Sequence, residues 1–243
     1  MLWCEYPRDV VQVSGADATS YLHGQLSQDL RQLAVGDSTW SFLLQPSGRI
    51  DVLARVWRTA EDCYVLDTDA GFGEVMTARL QRFRIRVAVT IEPLAWRCLA
   101  VRGGGEPQVA GGRPSWGGGV DLLAPDPQPP AGAVRGDAEH LLAARVGAVW
   151  PAMGAEIVPG ETIPAETGIA DVAVSFSKGC YPGQELVERM DSRRARPPRT
   201  LQRVAVAEGA AVAGDALVVD GVQVGTITTV CREHALAYVH RSA

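Results

Sequence analysis

Between residues 103 and 132 the chain runs through glycine and proline, with Gly117-Gly118-Gly119 and Pro129-Pro130 at its heart. Glycine loses backbone entropy in any regular element, and proline fixes φ and removes a donor, so most of this stretch is barred from helix and sheet. Residues 120–123 read as a strand inside it. No GxxxxGK[ST] or strand-GxGxxG-helix context accompanies the glycines, which speaks against a phosphate cradle. The chain must therefore build its core on either side of a long connection. With 47% hydrophobic residues in 243 it has the apolar surface to do so.

Ahead of the connection, strands and helices interleave. Val10 opens a short strand, and Asp17 stands as an N-cap before a helix through Leu22 and Leu26 that stops near Asp29. Residues 40–44 and 50–57 flank the turn Pro46-Ser47-Gly48 as a hairpin. Residues 63–66 form a strand, Val75, Met76, Leu80 and Phe83 fall near helical spacing, and residues 84–92 alternate again. The pattern is α+β. Beyond the connection, Asp137 caps a helix carrying Leu141, Leu142, Val146 and Val149, ended by Pro151, and residues 172–176 read as a strand. Five arginines between positions 189 and 199 lead to Pro197-Pro198, after which short alternating strands dominate. That tail reads as a small β-barrel-like module.

Charge and cysteine usage narrow the function. A net charge of -5 lacks the basic excess with which nucleic-acid binders neutralise phosphates. No apolar run approaches the roughly 20 residues that span a bilayer, and the first residues mix Glu5, Arg8 and Asp9 with apolar ones, unlike a secretory leader. The expected location is the cytoplasm. The five cysteines never form a CxxC pair and none of the four histidines lies at i, i+4 from another. Reduced thiols and no protein-ligated metal are the expectation.

The most specific local feature is Lys178-Gly179-Cys180-Tyr181-Pro182-Gly183-Gln184-Glu185, a cation, a thiol, a phenol, an amide and a carboxylate in eight residues. Two glycines and a proline suit a loop built to present side chains, although a surface turn has the same composition. Lys178 and Arg189 near Cys180 favour a reactive thiolate; an inert buried cysteine is the alternative, since no histidine adjoins it as base.

The octapeptide resembles the K-G-C-[FY]-x-G-Q-E signature of the YgfZ family of folate-binding proteins, relatives of the glycine-cleavage aminomethyltransferase. The likeness extends through Ile163-Pro164-Ala165-Glu166-Thr167-Gly168, the stretch Tyr21-Leu22-His23-Gly24-Gln25, the turn Gly48-Arg49-Ile50-Asp51 and Arg199. Arg145 lies on a helix similar to the family's L-R-x-E-x-G segment, with Gly147 where relatives carry an acidic residue.

What the resemblance implies is an aminomethyltransferase folate-binding-like fold: two α+β lobes over residues 1–198 and a small C-terminal β-barrel over 199–243, around a central cleft. That cleft would take tetrahydrofolate or a one-carbon-substituted folate. Asp51, Arg145 and Glu166 are the candidate ligand contacts, with Lys178, Tyr181, Gln184, Glu185 and Arg189 at its rim and Cys180 the functional thiol. Structural alternatives stand beside them: Asp51 as a turn residue, Arg145 in an ion pair, Glu166 as a surface carboxylate. Arg189, Arg193, Arg194, Arg196 and Arg199 are open to two readings, a receptor for the anionic tail or an acidic partner and a solvated basic linker, and the linker is preferred except at Arg189. The implied role is an accessory factor for the assembly or repair of iron-sulfur enzymes, partnered by folate and by iron-sulfur client or assembly proteins. A second reading is a folate-dependent aminomethyl or methyl transferase, for which Asp67, Asp69 or Glu74 would supply the acid or base. A third is a folate-binding module in nucleic-acid modification, which the acidic balance disfavours.

Overall fold

Pro7, which cannot donate to a ladder, separates two strands that enter different sheets: Leu2–Glu5 (β1) and Arg8–Ser14 (β2). The computed structural model describes residues 1–103, 109, 111–192 and 197–241; Arg193, Arg194 and Arg196 lie outside them.

Sheet one, all antiparallel, runs β3-β4-β5-β2-β6, with β3 Ser38–Leu44, β4 Ile50–Ala60, β5 Cys63–Asp69 and β6 Thr90–Leu94. Alternation sorts β3 between two cores. Leu43 joins Val11, Val13, Val52 and Leu66 beneath α1 (Ala18–Gln25) and α2 (Gly73–Arg82), whereas Trp40, Phe42 and Leu44 face Trp116, Trp150 and Met153 on the other side. Where β3 and β4 shift register, Leu44 pairs with Ile50 and Leu43 with Val52, so Asp51 is left as the extra residue of a bulge. Asp17 precedes α1 as expected but does not cap it; its carboxylate accepts from the Ala88 N–H at 2.7 Å instead.

The second sheet has the order β10-β1-β7-β9-β8, with β7 Arg97–Arg102, β8 Arg113–Pro114, β9 Val120–Ala124 and β10 Val134–Arg135. Strand β9 therefore forms where the sequence places it. Trp116, in a short turn between β8 and β9, is buried against Trp150.

Next comes α3 (Ala138–Gly147), whose N-cap Asp137 accepts from the His140 N–H at 3.0 Å, as its sequence predicts. Residues 172–176 do not form the expected strand. The chain makes the helical turn α4 (Ala170–Ala173), closed by the Val174 N–H on the Ala170 carbonyl, and Ala173 and Val174 are pressed into the core that also takes Phe42. A five-residue apolar run fits either element, and tertiary contact decides. The octapeptide then feeds α5 (Gln184–Ser192).

The C-terminal sheet runs β11-β14-β13-β12, with β11 Arg199–Ala205, β12 Ala216–Val219, β13 Val222–Cys231 and β14 His234–His240. It is an open four-stranded antiparallel sheet, and among the described residues β11 and β12 do not pair, so the expected barrel does not close. The four-residue β12 leaves Val218 and Val219 exposed. Among the described residues no helix is long and apolar enough to cross a membrane.

The first two sheets are fastened to each other by charge. Asp121 of β9, 1% exposed, accepts from Arg55 of β4 at 2.6 Å, Arg102 of β7 at 2.8 Å and Ser115 at 2.6 Å. Tryptophan faces cover the guanidinium groups: Arg55 lies 5.1 Å from the Trp40 ring centre and 4.5 Å from that of Trp57, and Arg102 3.9 Å from that of Trp116. Burial by itself raises the Asp121 pKa, but Arg55 and Arg102 outweigh it and hold the carboxyl below its ordinary value. Asp121→Leu strands two buried cations and is expected to cost about 3–5 kcal/mol in urea unfolding at pH 7. Because the folded pKa is the lower one, this contribution is whole above the ordinary 3.8 and is lost as pH falls through the folded value. The gap between wild type and variant should therefore close in acid.

Candidate functional site

Lys178 anchors the octapeptide loop. Its side chain is buried, and Nζ donates to the backbone carbonyls of His23, Leu26 and Gln28, the residues that close α1 and follow it. Those carbonyls have outrun the helical ladder, and the ammonium supplies the donors they need. The aromatic ring of the buried Tyr181 lies 5.0 Å away. Burial, then the charge of Glu188, pushes the Tyr181 phenol up to about 12.

Gly183 completes the seat. With φ of 82° it sits where a Cβ would come 2.3 Å from the Gln45 carbonyl, and a Cβ on Gly48 would come 2.5 Å from that of Leu186. The loop is pressed against the tip of the β3–β4 hairpin, and only glycine fits on both sides. The Gln184 amide oxygen accepts from the Tyr181 N–H at 3.0 Å and closes the turn into α5. Cys180 is left exposed, so the inert buried alternative does not apply. Glu185 and Arg189 are exposed on α5. Beside them lies a small pocket of about 270 Å³, walled by Phe176, Leu186 and Met190.

A larger cleft of about 700 Å³ opens where the chain crosses between the first two sheets. Tyr6, Pro7, Trp116 and Leu141 give it apolar and aromatic walls, Asp69 also lines it, and the exposed first turn of α3 with Arg135 forms the mouth. Arg145 is the predicted ligand contact that lines it; Asp51, Glu166 and the residues of the octapeptide do not. Asp51 lies at the bulge, accepts from Gln45 at 2.7 Å and pairs with Arg79 at 3.3 Å. Glu166 is buried rather than exposed and pairs with Arg199 at 3.2 Å, tying the body to β11.

Arg145 is itself in an ion pair. It donates to the Glu156 carboxylate at 2.7 Å, to the Trp150 carbonyl at 3.1 Å and to the Thr229 hydroxyl at 2.9 Å. Glu156 also accepts from the Thr228 and Thr229 hydroxyls and the Ala152 N–H, so this fully buried carboxylate joins α3 to the C-terminal sheet. Asp69 is equally committed. Tyr6 and Arg8 donate to Oδ1, and the Met153 N–H donates to Oδ2 at 2.9 Å. Asp67 is held by Arg8 at 2.6 Å and by the Trp57 indole at 2.5 Å, and Glu74 lies on α2 in the wall of a separate groove. Tyr6, Trp116 and Arg135 escape sequence reasoning because no local motif connects them. The single hint is the proline after Tyr6, which marks the crossing between sheets.

Burial, opposed by the charge of Asp29, lowers Lys178 to about 8 from an ordinary 10.5. A lysine depressed in this way carries its burial penalty below pH 8 and sheds it as pH rises towards 10.5, because the unfolded chain then holds the proton that the folded one has lost. Urea midpoints measured from pH 7.5 to 10 should climb relative to Lys178→Met, whose midpoint lacks this component.

No protein-family model matches the chain. An uncharacterised protein of Haemophilus influenzae is 26% identical over 192 residues, covering 76% of this chain and 67% of that one. A mitochondrial iron-sulfur cluster assembly factor IBA57 homologue of Cryptococcus neoformans is 27% identical over 229 residues, covering 75% of this chain and 60% of that protein. Its counterpart in Phaeosphaeria nodorum is 28% identical, with coverages of 75% and 50%. The chain thus spans half to two thirds of the length of these relatives. The crystal structure of glycine cleavage system aminomethyltransferase T from Bartonella henselae superposes with a TM-score of 0.77 over 98% of this chain and 78% of that chain, at 18% identity. The fold is accordingly the mixed α+β fold of that aminomethyltransferase.

Proposed function

We propose that the 700 Å³ cleft binds tetrahydrofolate or a one-carbon-substituted folate, and that the protein acts as an accessory factor in the assembly or repair of iron-sulfur enzymes, of the YgfZ type. The observation that carries the folate reading is the cleft itself. It is large enough for a pterin with its aryl extension, it is walled by Tyr6, Trp116 and Leu141, and it lies in a fold shared with an aminomethyltransferase. The assembly role rests on the likeness to the IBA57 homologues. In this reading Tyr6 and Leu141 face the flat body of the ligand, with the buried Trp116 backing the wall, and the ligand supplies its one-carbon chemistry if it carries any.

Binding is favoured over transfer by Asp69. A general acid or base needs a lone pair or proton free for the reacting nitrogen, and three donors already sit on the Asp69 carboxylate, Tyr6 and Arg8 on Oδ1 and the Met153 N–H on Oδ2, which leaves one lone pair of Oδ2 for such a role. The accessory role calls instead for a group that another protein can touch. Cys180 offers one: an exposed thiol on a seated loop, with iron-sulfur client or assembly proteins as the partners, and the segment leading into that loop leaves Val172 and Phe176 half-exposed. By this reading residues 199–243 act as a clamp on the bilobal body through Arg199 and Thr229.

Titration calorimetry with tetrahydrofolate tests the site. Wild type and Cys180→Ala should bind alike, since the thiol is outside the cleft, and Ala138→Trp, which puts an indole in the mouth from the exposed start of α3, should weaken binding at least tenfold. No heat at high micromolar folate with folded protein overturns the folate reading. Alkylation of the native protein followed by peptide mass mapping should modify Cys180 well before the buried Cys4, Cys98 and Cys231. Equal labelling of all four would remove the case for a presented thiol.

A further inference from the structure

The residues lining the cleft bring three carboxylates, Glu5, Asp69 and Asp137, and two guanidinium groups, Arg135 and Arg145, and one of those cations stands without a partner among the described residues. Glu5 is paired with Arg97 at 2.7 Å, Asp69 with Arg8, Arg145 with Glu156 at 2.7 Å, and Asp137 takes the ring of His140 at 2.7 Å. Arg135 has no carboxylate partner and no hydrogen-bond acceptor among the described residues, yet it is exposed at the mouth of the cleft. Its place is set from both sides. Strand β10 is held parallel to β1 with Arg135 opposite Trp3, and the guanidinium lies 5.3 Å from the Trp3 ring centre. An arginine stacked on an aromatic face has surrendered part of its rotamer freedom before any ligand arrives, and its fork remains open to a carboxylate.

We infer that Arg135 is the anion receptor of the cleft: it takes a carboxylate from the glutamate tail of the folate, and so fixes the ligand's direction, with the pterin towards Asp69 and the tail outward past α3. The inference rests on the folate reading above and adds the ligand's orientation and the source of its affinity for the tail. No other cation lining the cleft can serve as well, because Arg145 would have to leave a buried carboxylate behind. A guanidinium–carboxylate pair at a rim is partly hydrated, so the attraction should be of moderate size and sensitive to salt.

The test compares tetrahydrofolate with tetrahydropteroate, which has the same pterin and aryl body and no glutamate, on wild type, Arg135→Gln and Arg135→Lys. The variants change an exposed side chain, and circular dichroism checks that each is folded. Wild type should prefer tetrahydrofolate by about five- to twentyfold at low salt. Arg135→Gln should bind the two compounds within a factor of two of each other, leaving tetrahydropteroate affinity unchanged, and Arg135→Lys should keep part of the preference. The wild-type preference should shrink in 0.5 M salt. If both compounds bind and the preference survives Arg135→Gln, or never exists, the tail lies elsewhere and the inference fails while the folate reading stands. If neither compound binds wild type, both fall together.

Discussion

The Asp121 carboxylate, shared between Arg55 and Arg102 and sealed under three tryptophans, is the contact on which the rest of the molecule depends. Each partner comes from a different strand, and Arg55 belongs to one sheet while Arg102 and Asp121 belong to the other. Burying such groups is costly unless they are paired, and here one carboxylate meets two guanidinium groups within hydrogen-bond distance while tryptophan faces cover the cations. The relative position of the two sheets follows, and with it the crossing at Tyr6 and Pro7 that makes a wall of the cleft. Glu156 repeats the device for the C-terminal sheet, taking Arg145 from α3 and two threonines from β13.

Much of the fold was legible along the chain because it rests on local signals. The hairpin about Pro46-Ser47-Gly48, helix α3 with its Asp137 cap and the alternating C-terminal strands all carry their own periodicity or turn chemistry. What escaped was set by distant contact. Helical turn α4 was hidden by a run too short to have a period, and β1 and β7 by sequences that alternate weakly. The open edge of the last sheet could not be read either, since whether strands close on themselves depends on their stagger and tilt rather than on composition.

The site divides in the same way. The octapeptide announced itself, and its Gly183, Lys178 and Gln184 seat the loop from which Cys180 is exposed. The cleft did not, because Tyr6, Asp69, Trp116 and Arg135 come from four separate stretches and share no spacing. Arg145 and Glu166 drew notice as charged residues in recognisable segments, and each is spent on an internal ion pair that locks the C-terminal sheet to the body. Charge in a motif marks a constraint; whether the constraint is on a ligand or on the fold is decided by what the opposite charge is.

The mutual approach of Gly48 and Gly183 has a consequence for how the protein can change over time. A side chain at either position collides with backbone or with Leu186, so the hairpin turn and the thiol loop can only drift together. An insertion in that turn, the kind of length change that surface hairpins ordinarily absorb, would here move the sulfur. The accessible thiol is thus inherited as part of the first sheet, although the sequence places it far downstream.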